Sequence, residues 1–94
     1  MLSKMPIDLK SISEGDIDKE ILRAGIVAEL DAINLYEQMA ALTKNSNIKR
    51  VLLDVAKEEK THIGEFHALL LEIDTQQKQE LQAGSEEVEK QLSK

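Results

Sequence analysis

The sequence of 94 residues has no cysteine and no tryptophan, and it contains one proline, one tyrosine and one phenylalanine. Without cysteine there is no disulfide framework, thiolate metal site or cysteine nucleophile, so any metal chemistry has to use carboxylates and imidazoles. Few aromatic residues combined with abundant Leu, Ile, Ala, Glu and Lys are typical of helical bundles and coiled coils. We therefore expect an all-α protein with a small core.

Basic residues are outnumbered, with 12 Lys and Arg against 18 Asp and Glu and a net charge of −6. Because phosphate binding needs clustered Lys and Arg, nucleic acid is not an expected partner. No run approaches the ~20 apolar residues that span a bilayer. Charges also interrupt residues 1–10, where a signal peptide has its apolar region. We expect a cytoplasmic protein that does not bind membranes, and cations are its more natural ligands.

Apolar residues recur at helical spacing in two long segments, which predict a first helix over residues 17–43 and a second over 48–73. Residues 1–15 lack sustained periodicity and are predicted to be an extended lead-in. The polar residues around 43–47 supply turn and capping side chains. A connection this short predicts an antiparallel two-helix hairpin.

The remaining segment, residues 74–94, is predicted to be a polar tail. Residues 76–83 are good helix formers, Gly84 is expected to end that stretch, and Ser85 is expected to cap a short last helix over 86–92. The whole chain, residues 1–94, is predicted to be one domain.

The apolar face of the second helix is interrupted by two ionisable residues. Steps of four and three keep one stripe of such a helix together. Glu59 and His62 occupy adjacent places in the middle of this stripe, so they are predicted to face the core. The stripe consists of Ile48, Leu52, Val55, Glu59, His62, Phe66, Leu69 and Ile73.

The first helix carries a matching stripe in which Glu29 and Tyr36 are the polar members. A buried carboxylate is unfavourable by several kcal/mol unless it is protonated, paired or bound to metal. No Lys or Arg occupies either stripe, which leaves protonation, His62 or a metal ion as the compensating partner. Glu59 and His62 are three residues apart, so both side chains can converge on one cation.

A di-iron carboxylate bundle needs one Glu from each of two helices and one Glu-x-x-His from each of two others. One hairpin offers half of that set. If the bound group is a pair of iron ions, two chains together supply four Glu and two His, and the site lies between subunits. Four carboxylates would then be balanced by two Fe²⁺ ions.

The segment from Glu29 to Tyr36, followed by Glu58-Glu59-Lys60-Thr61-His62, resembles the encapsulated ferritins, a short ferritin-like family related to rubrerythrins. The resemblance implies half of a ferritin-like four-helix bundle completed by homodimerisation, with Glu29, Glu59 and His62 as iron ligands and Tyr36 near the catalytic centre. It implies a ferroxidase that converts Fe²⁺ to Fe³⁺ for iron storage. It also implies a ring of dimers, expected to be a decamer, inside an encapsulin nanocompartment.

Two features depart from the pattern of that family. Its members tend to have two acidic residues beside the helix-one ligand, where incoming metal binds, and here those positions are Ala28 and Asp31. The resemblance therefore does not carry that site over. The C-terminus lacks the Gly-Ser-Leu type of tail that loads cargo into shells. This resembles archaeal variants in which the ferritin-like domain precedes the shell domain in one polypeptide, and the sequence is compatible both with an excised domain and with a natural full-length protein.

Alternative interpretations remain. Glu59 and His62 can form a buried hydrogen-bonded pair that fixes helix register, in which case the chain is a non-catalytic hairpin that oligomerises or acts as an adaptor. A metal site can hold Zn²⁺ or Mn²⁺ instead, or reduce peroxide, although no cysteines are present for a rubredoxin-type centre. His67 lies about 80° around the helix from Glu59 and is assigned a structural or surface role. Glu58 falls on a solvated acidic face.

Overall fold

The computed structural model describes residues 16–93, which form three α-helices: α1 (Ile17–Leu42), α2 (Ser46–Ile73) and α3 (Thr75–Leu92). The all-α class is confirmed. Helix α1 begins where the periodicity predicts and ends one residue early, whereas α2 begins two residues before the predicted start. The predicted lead-in, residues 1–15, lies outside the described residues. Within the described range, no helix is both long enough and apolar enough to cross a bilayer.

The connection between α1 and α2 is three residues long and is held by its own side chains. Thr43 leaves the helix with extended backbone angles (φ −73°, ψ 142°). Its Oγ1 accepts a hydrogen bond from the backbone N–H of Asn45 at 3.2 Å. Asn45 Oδ1 in turn accepts from the N–H groups of Asn47 and Ile48 at 3.0 and 3.1 Å. Asn45 is thus the N-cap that starts α2 and turns the chain back along α1.

The core between α1 and α2 is thin. Only four apolar residues are buried in the described part of the chain, Ile33 and Ala40 on α1 with Ala56 and Leu70 on α2. Two of the four are alanines, and no large side chain there is fully buried. A small chain already buries a low fraction of its surface. The hairpin therefore leaves much apolar area exposed.

The predicted stripe of α2 does not lie evenly against α1. Phe66 and Glu59 are partly covered, but the stripe members at the two ends are exposed, Ile48 by 50%, Leu69 by 51% and Ile73 by 45%. Helix α1 thus covers only part of the stripe. We call the exposed members, Ile48, Leu69 and Ile73, together with His62, whose side chain is 44% exposed, the open face.

Asp74 forms the corner between α2 and α3. Its φ of −129° and ψ of 85° interrupt the helix, and its Oδ1 accepts a hydrogen bond from the backbone N–H of Gln77 at 3.0 Å. Its Oδ2 lies 2.8 Å from Nη2 of Arg23 on α1. The buried Asp74 carboxylate therefore caps α3 and ties the corner to α1. Beyond this corner α3 approaches α2 alone and has no buried residue.

A C-terminal helix after the hairpin is confirmed, but the prediction that Gly84 interrupts it and that it covers only 86–92 is wrong. Helix α3 runs without interruption from Thr75 to Leu92. Glycine in a helix interior is less favourable than alanine by ~1 kcal/mol, but it does not force a break. Gly84 has a negative φ, and the Gln, Glu and Lys residues around it are good helix formers.

Because Asp74 caps α3 as a charged carboxylate, its contribution to the stability of the protein should depend on pH. The hydrogen bond from Gln77 and the ion pair with Arg23 lower the pKa of Asp74 below its ordinary value of 3.8, although burial opposes the shift. The charged form therefore adds stability above pH 3.8, and that stability is lost as the pH falls through the lowered pKa.

Replacing Asp74 with Asn keeps a capping oxygen and removes the charge, so the Asn variant should unfold at a lower temperature than wild type at neutral pH. The gap between the two unfolding temperatures should close as the pH is lowered below 3.8. Thermal unfolding followed by circular dichroism measures it, and a gap that is constant with pH would refute the role of the charge.

Candidate metal centre

Three side chains meet halfway along the hairpin. Glu29 is near the middle of α1, while Glu59 and His62 share one side of α2 in its central turns. Nδ1 of His62 lies 3.4 Å from Oε2 of Glu29 and 3.6 Å from Oε2 of Glu59. One ligand atom from each of the three residues lies within 4.8 Å of the others. The structure thus brings together the three residues that the sequence predicts.

The three side chains sit at the edge of the α1–α2 interface. The carboxylates are largely covered, with side-chain exposures of 19% for Glu29 and 18% for Glu59, whereas the imidazole of His62 is 44% exposed. The group is therefore reached from the open face and not from inside the hairpin. Two partly desolvated carboxylates so close together repel each other, and a cation or a protonated imidazole between them offsets that repulsion.

The donor set fits a first-row divalent metal. Carboxylate oxygens and an imidazole nitrogen suit Fe²⁺, Mn²⁺ or Zn²⁺, and none of these ions needs thiolates. Donors 3.4 and 3.6 Å apart can share one ion, because the bonds from carboxylate oxygen or imidazole nitrogen to such ions are about 2.1 Å long. Three donors leave the coordination sphere of an Fe²⁺ ion incomplete. Further ligands would have to supply the remaining positions.

The other residues singled out from the sequence lie outside this group. Tyr36 is half-buried on α1, two turns beyond Glu29 and about 10 Å away in helix rise. His67 is half-buried on α2, and Glu58 is exposed. The group that could hold a metal among the described residues consists of Glu29, Glu59 and His62. The catalytic role of Tyr36 stays a prediction, and within one chain its ring lies apart from these three residues.

Sequence reasoning missed two contacts between the helices near the site. Nζ of Lys60 lies 3.0 Å from Oε2 of Glu37, with both side chains well exposed, so this pair adds little stability. Gly25 faces the ring of Phe66 one turn away from the ligands. Neither contact is signalled in the sequence, because both depend on the register of α1 against α2.

The fold and the site together define a class of protein. A helical hairpin with Glu on one helix and Glu-x-x-His on the other presents half of the ligand set of a ferritin-like carboxylate bundle. Residues 20–93 match the rubrerythrin family. The chain belongs to that family, and the resemblance to encapsulated ferritins is confirmed by the relatives described next.

Two proteins are similar to the chain in amino-acid sequence. It is 62% identical over 69 residues, 73% of its length, to the "Ferritin-like-encapsulin shell fusion protein" of Pyrococcus furiosus. It is 41% identical over 56 residues, 60% of its length, to the "Encapsulin nanocompartment cargo protein EncC" of Myxococcus xanthus. The matched regions span only 20% and 43% of those two proteins.

The fold also matches a solved structure, the crystal structure of the encapsulated ferritin domain from Pyrococcus furiosus. The TM-score is 0.82 at 51% sequence identity, and the match covers 96% of this chain and 94% of the other. At this identity and coverage the shared architecture includes α3 as well as the hairpin.

Proposed function

We propose that this chain is a ferroxidase, which binds Fe²⁺ at a di-iron site shared between two copies and oxidises it to Fe³⁺ with O₂ as the electron acceptor. The convergence of Glu29, Glu59 and His62 at the middle of the hairpin carries the proposal. Membership of the rubrerythrin family supports iron as the metal. When bound, iron supplies the electrons, while the protein supplies the ligands and excludes bulk water.

Ligand count supports the sharing of the site. Two chains offer four carboxylates and two imidazoles, the complement of a di-iron bundle, whereas one chain offers half of it. The four carboxylate charges are balanced by two Fe²⁺ ions. His62 Nδ1 lies 3.4 Å and 3.6 Å from the nearest oxygens of Glu29 and Glu59 of its own chain, so all three side chains can reach one ion.

The apolar surroundings support the same arrangement. Exposed Ile48, Leu69 and Ile73 flank the ligands on the open face. A second hairpin laid on this face would bury them and desolvate the ligands at the same time. Removal from water strengthens the binding of a cation by fixed carboxylates. We propose on this basis that the functional unit is a homodimer, which assembles further into a ring expected to be a decamer.

The proposed activity is tested by adding Fe²⁺ to the apo protein without oxygen and then admitting air, with absorbance recorded. Oxidation faster than in protein-free buffer supports a ferroxidase. A second sample that receives peroxide under nitrogen distinguishes a peroxide-reducing protein. Oxidation no faster than buffer under either oxidant would contradict the proposal and leave a metal-binding or adaptor hairpin.

The encapsulin compartment is a proposal supported by two relatives, one named as an encapsulin shell fusion and one as an encapsulin cargo protein. A ferroxidase inside a shell would produce Fe³⁺ in the same compartment that stores the iron. Electron microscopy of the protein isolated from its native cells tests this location. Finding the chain free of any shell would contradict it.

Tyr36 is proposed to influence oxidation without binding iron. Its ring is half-buried on α1, and about 10 Å of helix rise separates it from Glu29. Replacing Tyr36 with Phe should keep assembly and iron binding and change the rate of oxidation, because only the hydroxyl is lost. Stopped-flow absorbance measures the rate, and equilibrium dialysis measures binding. If the Phe variant no longer binds iron, this assignment is wrong.

A further inference from the structure

Gly25 and Phe66 form a close contact between α1 and α2 next to the candidate metal centre. Gly25 lies one turn before Glu29 on α1, and Phe66 lies one turn after His62 on α2. A Cβ atom placed on Gly25 would be 3.2 Å from Cδ2 and 3.3 Å from Cε2 of the Phe66 ring. We call this contact the Gly25–Phe66 layer.

A side chain on Gly25 would crowd the Gly25–Phe66 layer. Carbon atoms in favourable contact are about 3.5–4.0 Å apart, so the Phe66 ring or one of the two helices would have to shift by a few tenths of an ångström to admit a Cβ atom. Glycine is a poor residue for a helix interior, because it has more conformational freedom to lose than alanine. Its place in the middle of a 26-residue helix therefore calls for a packing reason, and the ring provides one.

The separation of the two helices affects one ligand more than the others. Glu59 and His62 share α2, so the geometry of that helix sets their spacing. Glu29 comes from α1, and its 3.4 Å approach to His62 depends on how closely α1 lies against α2. The layer sits one turn from this approach, and in it the Phe66 ring of α2 lies directly against the backbone of α1 at Gly25.

We propose that Gly25 and Phe66 are positioning residues, which set the separation of α1 and α2 so that Glu29 meets the Glu59–His62 pair at the distance a metal ion needs. This inference rests on the proposed metal function and deepens it. The layer touches neither metal nor substrate. It acts through Glu29.

Replacing Gly25 with Ala tests the positioning role, with Zn²⁺ as a redox-inert probe of the assembled protein. Mutating residues that orient the ligands of a metal typically weakens metal binding 10–100-fold. We therefore expect Gly25→Ala to lower the affinity for Zn²⁺ about tenfold. Replacing Gly64 with Ala is the matched control, because no neighbouring atom of the described structure lies within 4 Å of its added Cβ. The control should bind Zn²⁺ as wild type does.

A double-mutant comparison separates positioning from general damage. In a Glu29→Ala background the ligand that the layer positions is absent, so adding Gly25→Ala should cause no further loss of Zn²⁺ affinity. An equal loss with and without Glu29 would overturn the proposal, as would wild-type affinity in the Gly25→Ala variant. If Glu29→Ala alone bound Zn²⁺ like wild type, the metal site itself would fail, which is a different result.

The ring provides a rescue experiment. Combining Gly25→Ala with Phe66→Leu removes the flat ring that the new Cβ would meet, and Zn²⁺ affinity should return to within about twofold of wild type. This double variant also tests whether the Phe66 ring sets the separation of the helices if Gly25→Ala alone does not fold. A double variant that remains unfolded, or that folds and binds as weakly as the single variant, would show that the ring does not set the separation.

Discussion

Replacing Glu59 with Ala is expected to reduce Fe²⁺ oxidation by ~100-fold or more, and Glu29→Ala and His62→Ala should do the same. In the proposed site, which two chains share, a single substitution would remove two ligands, so the effect should exceed the 10–100-fold that is typical when a hydrogen-bond partner of a metal ligand is lost. Absorbance during aerobic oxidation measures the rate. Glu58→Ala is the matched control, because Glu58 is the exposed neighbour of Glu59 and should retain wild-type activity.

Loss of activity alone does not separate a metal site from a structural pair, so the stability of the apo protein has to be measured too. If the residues are ligands, the apo site holds repelling carboxylates, and Glu59→Ala should leave the stability in chelator unchanged or raise it. A structural hydrogen-bonded pair predicts the reverse, a loss of roughly 1–3 kcal/mol. Thermal unfolding in chelator, then with Fe²⁺ under nitrogen, distinguishes the two. A Glu59→Ala variant that is destabilised in chelator and oxidises iron normally would refute the ferroxidase proposal.

Iron is expected to drive assembly. An ion that bridges two chains binds the dimer and not the monomer, so mass action favours the larger species by ~2.7 kcal/mol when free iron is 100 times its dissociation constant. Native mass spectrometry or light scattering, with Fe²⁺ under nitrogen and with chelator, measures the shift. His62→Ala should remove it. A wild-type monomer that persists at every iron concentration would contradict a shared site.

The thin core explains why assembly should be so sensitive to iron. Two of the four buried apolar residues are alanines, and the open face leaves Ile48, Leu69 and Ile73 about half exposed. Covering such residues stabilises an interface by ~25 cal/mol per Å² of apolar area, but the same interface brings four carboxylates together. In the proposed dimer these two effects would oppose each other without metal. Bound metal would remove the repulsion and leave the apolar contribution.

The hairpin and the clustering of Glu29, Glu59 and His62 could be predicted because they rest on local periodicity. Helix spacing of 3.6 residues fixes which side chains share a face, and polar residues in an apolar stripe stand out in the sequence. Glu29, Glu59 and His62 were found in this way, and the structure brings them together. The clustering of the three side chains also depends on the register of α1 against α2, which is set by the short loop that ends at Asn45.

What could not be predicted depends on contacts between distant residues. Asp74 looks like an ordinary polar residue in a tail, yet it caps α3 and pairs with Arg23, which is 51 residues away. The extent of α3 was mispredicted because Gly84 is a common helix terminator, and its cost is met here by good helix formers on both sides. The Gly25–Phe66 layer likewise appears only once the two helices are placed against each other.

A crystal structure of the protein loaded with iron under nitrogen, with anomalous diffraction recorded at the iron edge, tests the central claim most directly. The account predicts two iron ions between two hairpins, bound by Glu29, Glu59 and His62 of both chains. The same crystals should show Ile48, Leu69 and Ile73 covered by the second chain. An iron ion held by one chain alone, or no iron peak at these residues, would contradict it.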